Sequence, residues 1–185
     1  MENAPLLDTR ITSDDFISFS EHPLSRNDNF ELIDGFVTMM SSPSMDHQTI
    51  SIYIARKIGN YLEGKKCMVL QDFNVFLNND NVFRPDIMII CDKSKSKNNG
   101  YYGAPDFIIE IASKSTRGND YTIKQRAYMK HGVKEYWIVD PTVNSVLVFT
   151  MNSSIIKHYT FNDIIKLQSF DLEIDFNEIS EIISL

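Results

Sequence analysis

Three acidic residues interrupt runs of the chain that otherwise read as buried strands, and any chemistry is to be sought there first. Asp86 stands in Arg84-Pro85-Asp86-Ile87-Met88-Ile89-Ile90, Glu110 in Phe107-Ile108-Ile109-Glu110-Ile111-Ala112, and Glu31 at the start of Phe30-Glu31-Leu32-Ile33. A carboxylate in a buried strand is costly unless it is paired, protonated or bound to a metal. Several converging carboxylates repel one another, and a divalent cation relieves that repulsion. Magnesium takes oxygen ligands, commonly one or two carboxylates completed by water and substrate phosphate. The residues alone leave a second reading open, because strand-end carboxylates also pair with basic side chains. Arg84 or Arg56 could serve Asp86, and Lys114 could serve Glu110.

The elements that must position these groups follow from local pattern. Two β-prone runs meet at Asp34-Gly35, a hairpin signal because glycine accepts φ > 0. Ile50, Ile54, Ile58, Tyr61 and Leu62 recur at helical spacing, so residues 46–63 read as an amphipathic helix ended by Gly64. Strands are expected over 67–77 and 83–91, a loop over 93–103, and an apolar strand over 107–112 that opens after Pro105. A helix over 119–131, stopped by Gly132, leads into the strand Glu135–Pro141, with hairpin strands near 145–150 and 155–161. The chain should begin with a polar stretch containing a short helix over 13–19 capped by Ser13. It should end with a short strand near 172–174 and a helix near 177–183. This order gives an α/β (α+β) fold, a central mixed sheet flanked by helices with an extra hairpin near the C-terminus.

Composition sets the outer bounds. A length of 185 residues with 43% hydrophobic content suits one domain over 1–185: core about 28–161, N-terminal arm 1–27 and C-terminal tail 162–185. The formal net charge of −7 argues against a passive, nonspecific nucleic-acid coat, which needs a broad basic surface. It does not argue against a nuclease, whose metal ligands are themselves acidic. Basic residues gather in the middle of the chain, from Lys93 to Lys134. Cys67 and Cys91 have apolar neighbours and no zinc-type spacing, so buried free thiols in a reducing cytoplasm are expected. No apolar run approaches the roughly 18 residues of a membrane span, which points to a protein that does not use a membrane.

Asp86 and Glu110 on successive strands, the first preceded by Pro85, resemble the PD-(D/E)XK nuclease superfamily. The chain is more closely similar to the Uma-type family of restriction-endonuclease-like proteins. Five segments carry the resemblance in order: Glu31–Gly35, Met45–Gln48, Arg84–Ile87, Ala104–Ser113 and Tyr128–Pro141. Together they span roughly residues 12–180. Each is weak alone, and the ordered set is specific.

The resemblance implies a restriction-endonuclease-like core and metal-dependent hydrolysis of phosphodiester bonds, most simply in double-stranded DNA. It implies Mg2+, with Mn2+ able to substitute, held by Asp86 and Glu110 with Glu31 completing the site. One departure matters. The motif's lysine should lie two residues beyond Glu110 on the same strand face, and residue 112 is alanine. The resemblance moves that lysine to Lys124 on the following helix, with Lys114 as second choice. A variant lacking Lys124 is expected to fold normally, because a lysine acting on water alone is not a structural group. His47, Lys114, Arg117 and Gln125 are candidates for substrate contact, with helix capping or a solvated polar face as the plain alternatives. Tyr128, Tyr136 and Trp137 read as core aromatics. The rival to an enzyme is a nuclease-fold DNA-binding or assembly module with a degenerate site, favoured by Ala112 and by the acidic charge. A homodimer would suit two cuts in a duplex.

Overall fold

The computed structural model describes residues 9–22, 29–113 and 116–183. As expected, its strands form mixed sheet flanked by helices, here divided into two six-stranded sheets and a small ribbon. The first sheet runs in the order β2 (Phe36–Met39), β1 (Phe30–Ile33), β5 (Asn81–Phe83), β4 (Val75–Asn78), β8 (Gly100–Tyr102), β7 (Ser96–Lys97). The second runs β12 (Lys157–Thr160), β11 (Ser145–Thr150), β10 (Glu135–Asp140), β9 (Phe107–Ile111), β6 (Ile87–Ile90), β3 (Met68–Gln71). Strands β13 (Ile164–Lys166) and β14 (Glu173–Asp175) form the ribbon.

Two sheets arise because two expected strands each break and change sheet. The run 67–77 turns at Asp72, whose φ of +49° lies in the left-handed region and ends the extended backbone. The run 83–91 breaks at Arg84-Pro85-Asp86, where proline brings no ladder donor. The expected loop over 93–103 carries the short strands β7 and β8, which extend the first sheet beside β4.

Helices cover the outer faces. Helix α1 (Ser13–Glu21) is capped by Thr12 and not by Ser13. The Thr12 hydroxyl accepts from the Asp15 amide, and Asp15 accepts in return from the Thr12 amide. Phe16 of α1 packs with Phe30, Leu32 and Val37 on one face of the first sheet. Helix α2 (Met45–Leu62) buries Ile50, Ile54, Ile58 and Leu62 against Ile87, Ile89, Ile109 and Val139 of the second sheet. Each such side chain contributes about 1.5–3 kcal/mol of burial.

Between the sheets lies another apolar layer. Ile33, Val75 and Phe83 of the first sheet meet Met88, Ile108, Tyr136 and Ile138 of the second. Tyr128 from helix α4 (Gln125–His131) packs into the same layer. Ile165, Leu167, Ile174 and Phe176, from the segment expected to be a tail, join the α2 side of the core, with Phe176 opening α5 (Phe176–Ile183).

Cys67 and Cys91 form a disulfide, against the expectation of free thiols. The cause is register. Met68 of β3 pairs with Ile90 of β6 in an antiparallel ladder, so the next residues outward, Cys67 and Cys91, face each other with Cα atoms 4.0 Å apart. A sequence separation of 24 concealed that juxtaposition. None of the helices among the described residues is long and apolar enough to cross a membrane.

Candidate active site

Strand parity aims the acidic residues into the layer between the sheets. In β1, Leu32 faces α1, so its neighbours Glu31 and Ile33 face the second sheet. In β9, Ile109 faces α2, so Ile108 and Glu110 face the opposite way. β6 pairs antiparallel with β9, Ile87 opposite Ile109, and this sets Asp86 beside Glu110 on the same face. The Asp86 carboxylate accepts a 2.6 Å hydrogen bond from the Ile111 amide, one residue past Glu110.

The following helix supplies the cation. It starts as a single α-turn, α3 (Arg117–Asn119), passes through a π-turn at Asp120–Lys124 and continues as α4. π-Turns inside helices recur at functional sites. Here the turn buries both Asp120 and Lys124, each about 1% exposed. The Tyr136 hydroxyl donates to the Asp120 carbonyl at 3.0 Å. The Lys124 ammonium lies 2.8 Å from Glu31, 3.2 Å from Glu110 and 3.3 Å from Asp120. Tyr128, one turn on, donates to the same Glu110 oxygen at 2.9 Å. Glu31 also accepts from the Arg84 amide at 2.8 Å, which ties the first sheet to the Arg84–Asp86 break.

His47 approaches from the first turn of α2, where the Ser44 hydroxyl accepts from its amide. Its Nε2 is 3.1 Å from the second Asp86 oxygen. Asp86 therefore finds its partners in His47 and a backbone amide, and neither Arg84 nor Arg56 is its counterion. Arg56 lies over the Tyr53 ring. His47, Asp72, Arg84, Asp86, Glu110, Asp120 and Lys124 line one cleft.

The electrostatics of that cleft are unbalanced. Among the described residues, Asp72, Asp86, Glu110, Asp120 and the adjoining Glu31 face two permanent cations in the cleft, Lys124 and Arg84. Burial pushes the Glu110 carboxyl well up, opposed by Lys124 and reinforced by Asp120, Asp86 and Glu31. Burial likewise pushes Asp120 up to about 6, with Lys124 again opposing. Lys124 is held well above the usual lysine value: burial works against its charge, but Glu110, Glu31 and Asp120 outweigh it. Burial also works against charge on His47, and the Asp86 hydrogen bond and nearby carboxylates overcome it, leaving its pKa raised. Asp72 is raised by burial and by Asp86.

The donor set suits a hard divalent cation. It offers two adjacent carboxylates, Asp86 and Glu110, in a cleft with excess negative charge. Among the described residues the buried Asp120 carboxylate has no hydrogen bond of good geometry; it has the ionic contact to Lys124 and a weaker interaction with the Thr116 side chain. Among the described residues no three His, Cys, Asp or Glu side chains already stand as a closed cage. Two carboxylates completed by water and phosphate is the arrangement magnesium commonly takes. Glu31, expected to complete the site, lies 2.8 Å from Lys124 and accepts from the Arg84 amide.

The other sequence candidates divide. Arg117, expected to contact substrate, is committed to Asp140 at 2.7 Å and to the Thr142 hydroxyl. Lys114 lies outside the described residues. Gln125 opens α4 half-buried, outside the cleft lining. Tyr128, Tyr136 and Trp137 are fully buried, as core aromatics should be. Asp72, Arg84 and Asp120 were not singled out as cleft groups. For Asp120 a signal existed, since it precedes Lys124 by four residues, the spacing of a helical ion pair.

Comparison with known proteins now bears on this geometry. The family model Uma2, described as "Putative restriction endonuclease", matches residues 16–177. The chain belongs to the Uma2 family. Among solved structures, it is similar to a "putative nuclease belonging to DUF820" from Anabaena variabilis, with 21% sequence identity and a TM-score of 0.77. That match covers 92% of this chain and 98% of the other. No curated protein matches the sequence. The Uma2 assignment brings the restriction-endonuclease-like class, and the structural likeness supports the fold.

Proposed function

We propose that this Uma2-family chain is a metal-dependent endonuclease that hydrolyses phosphodiester bonds in double-stranded DNA. The observation that carries the reading is the buried Lys124 ammonium, 3.2 Å from Glu110, whose strand neighbour on the same face is Asp86. That grouping supplies from a helix what Ala112 cannot supply from the strand.

Asp86 and Glu110 are the residues to hold Mg2+, or Mn2+ in its place. When bound, the cation supplies a Lewis acid for the phosphate oxygens. The chain's own groups do the rest. Tyr128 and Lys124 fix the Glu110 carboxylate, and the Ile111 amide and His47 fix Asp86. Glu31 and Asp120 hold the Lys124 ammonium in place and keep it charged. A charged ammonium beside the reacting phosphate orients the attacking water and offsets negative charge in the transition state. Two copies acting on the two strands would account for a double-strand cut, so a homodimer is part of the proposal.

The test is nicking of supercoiled plasmid DNA. The wild-type chain should convert it to open-circular or linear form with Mg2+ or Mn2+, and EDTA should stop it. Asp86→Asn and Glu110→Gln should be inactive while remaining folded. DNA that stays intact with either metal would leave the nuclease reading without support.

A further inference from the structure

A nuclease cleft must hold the polyanion as well as cut it, and the cations available for that task can be counted residue by residue. Among the described residues three basic side chains line the cleft: His47, Arg84 and Lys124. Lys124 is shared among three carboxylates, and His47 is engaged by Asp86. Among the described residues Arg84 forms no ion pair, and its buried Nε has no hydrogen-bond partner. Several other basic candidates have partners outside the cleft. Arg117 is held by Asp140, Lys97 lies over the Tyr102 ring at 4.0 Å, and Lys95 is 3.9 Å from Asp92.

Arg84 is also placed to extend the site. Together with Asp72 it lines a second pocket, walled by Ile17, Ser20 and Glu21 of α1 and by Asn74, Asn98 and Asn99 beside the first sheet. It therefore stands between the carboxylates and a neighbouring polar recess. Its backbone is fixed, since its amide donates to Glu31 and Pro85 follows it. A guanidinium left unpaired in a cleft rich in carboxylates is suited to a ligand that brings its own anion. Its planar fork matches two phosphate oxygens at once.

We infer that Arg84 binds the phosphodiester next to the one cut, seating the flanking nucleotide at the α1 recess. This rests on the nuclease reading above and names the group that grips the strand.

The probe is a fluorescein-labelled 20-base-pair DNA duplex, titrated by anisotropy in calcium buffer at several salt concentrations. Arg84→Gln should weaken binding roughly tenfold and lower the slope of log affinity against log salt by about 1, as loss of one phosphate contact does. Arg84→Lys should keep the slope and recover only part of the affinity, because it keeps the charge and loses the fork. Arg84→Gln binding with unchanged affinity and slope overturns the assignment. If Arg84→Gln does not fold, Arg84→Lys decides, and wild-type affinity in that variant overturns it. A wild-type chain that binds no duplex overturns the nuclease reading itself, a different result from binding that ignores Arg84.

Discussion

Replacing Lys124 with methionine keeps an unbranched side chain one atom shorter and removes the charge, which makes it the sharpest test of how the cleft is held together. The lysine is about 1% exposed and within 3.3 Å of Glu31, Glu110 and Asp120. Removing it leaves three carboxylates around one buried point with no counterion. Breaking a buried ion pair from one side costs about 3–5 kcal/mol. For a chain of this size each kcal/mol shifts the melting temperature by roughly 2–4 °C, so a fall of roughly 6–20 °C is expected near neutral pH. The expectation of normal folding without Lys124 therefore gives way to its burial. The loss should also depend on pH. Burial already raises the Glu110 carboxyl, and Lys124 is the group opposing that rise. Without it Glu110 and Asp120 take up protons more readily, and the gap to wild type should narrow from pH 7.5 to pH 5. Adding Glu31→Gln to Lys124→Met should return part of the stability, since one orphaned charge is removed with the other. Thermal melts monitored by circular dichroism at the two pH values read all three effects. A Lys124→Met protein melting within about 2 °C of wild type at pH 7.5, well inside the expected shift, would falsify the picture of Lys124 as shared counterion.

Magnesium or manganese should raise the wild-type melting temperature because they bind only the folded state, and Asp86→Asn should remove most of that rise; an undiminished rise shows that Asp86 is not a ligand. Asp120 titrates at about 6 in the fold against 3.8 for the free group, so its contribution to stability is complete below about pH 4 and is lost as pH rises through about 6. The loss is at most about 3 kcal/mol, and it should be missing from the stability–pH curve of Asp120→Asn; parallel curves for the two proteins refute it. Reducing the Cys67–Cys91 disulfide, which spans 24 residues of sequence, should cost up to about 3.5 kcal/mol through restored freedom of the unfolded chain. Melts with and without dithiothreitol measure it, and coincident curves would show that the bridge does not constrain the chain.

Much of the architecture was readable because local signals agreed with the fold. Asp34-Gly35 joins β1 to β2 with φ values of +49° and +84°, the positive angles that the dipeptide announces. The α2 stripe and the Gly132 stop, at φ +96°, were equally direct. What stayed hidden depended on distant partners. The run 67–77 is apolar on both sides of Asp72, so nothing local shows that its halves belong to different sheets. The cysteine bridge needs the β3–β6 register, which no composition rule supplies.

The site divides along the same line, and the division explains how a lysine can leave its usual strand. Asp86 and Glu110 announced themselves because a carboxylate in an apolar strand is anomalous wherever it occurs. Lys124 and Asp120 sit on a helix, where charge is ordinary, and only burial makes them anomalous. Position 112 lies just past the end of β9 and is itself buried, packed with Tyr128 and Tyr136. A lysine there would displace part of that apolar layer, whereas the π-turn delivers an ammonium to Glu110 from the other side without disturbing the strand. In the proposed mechanism a positive charge is needed at a fixed point near Glu110, and the backbone position that carries it can change as long as a packed helix holds the same distance. Here that distance is kept by four residues on four elements: Glu31 on β1, Glu110 on β9, Asp120 within the π-turn, and Tyr128 on α4. A strand-borne lysine would need fewer partners. A helix-borne one is only as well placed as the helix packing, so substitutions at Tyr128 or Tyr136 should disturb the cleft through Lys124.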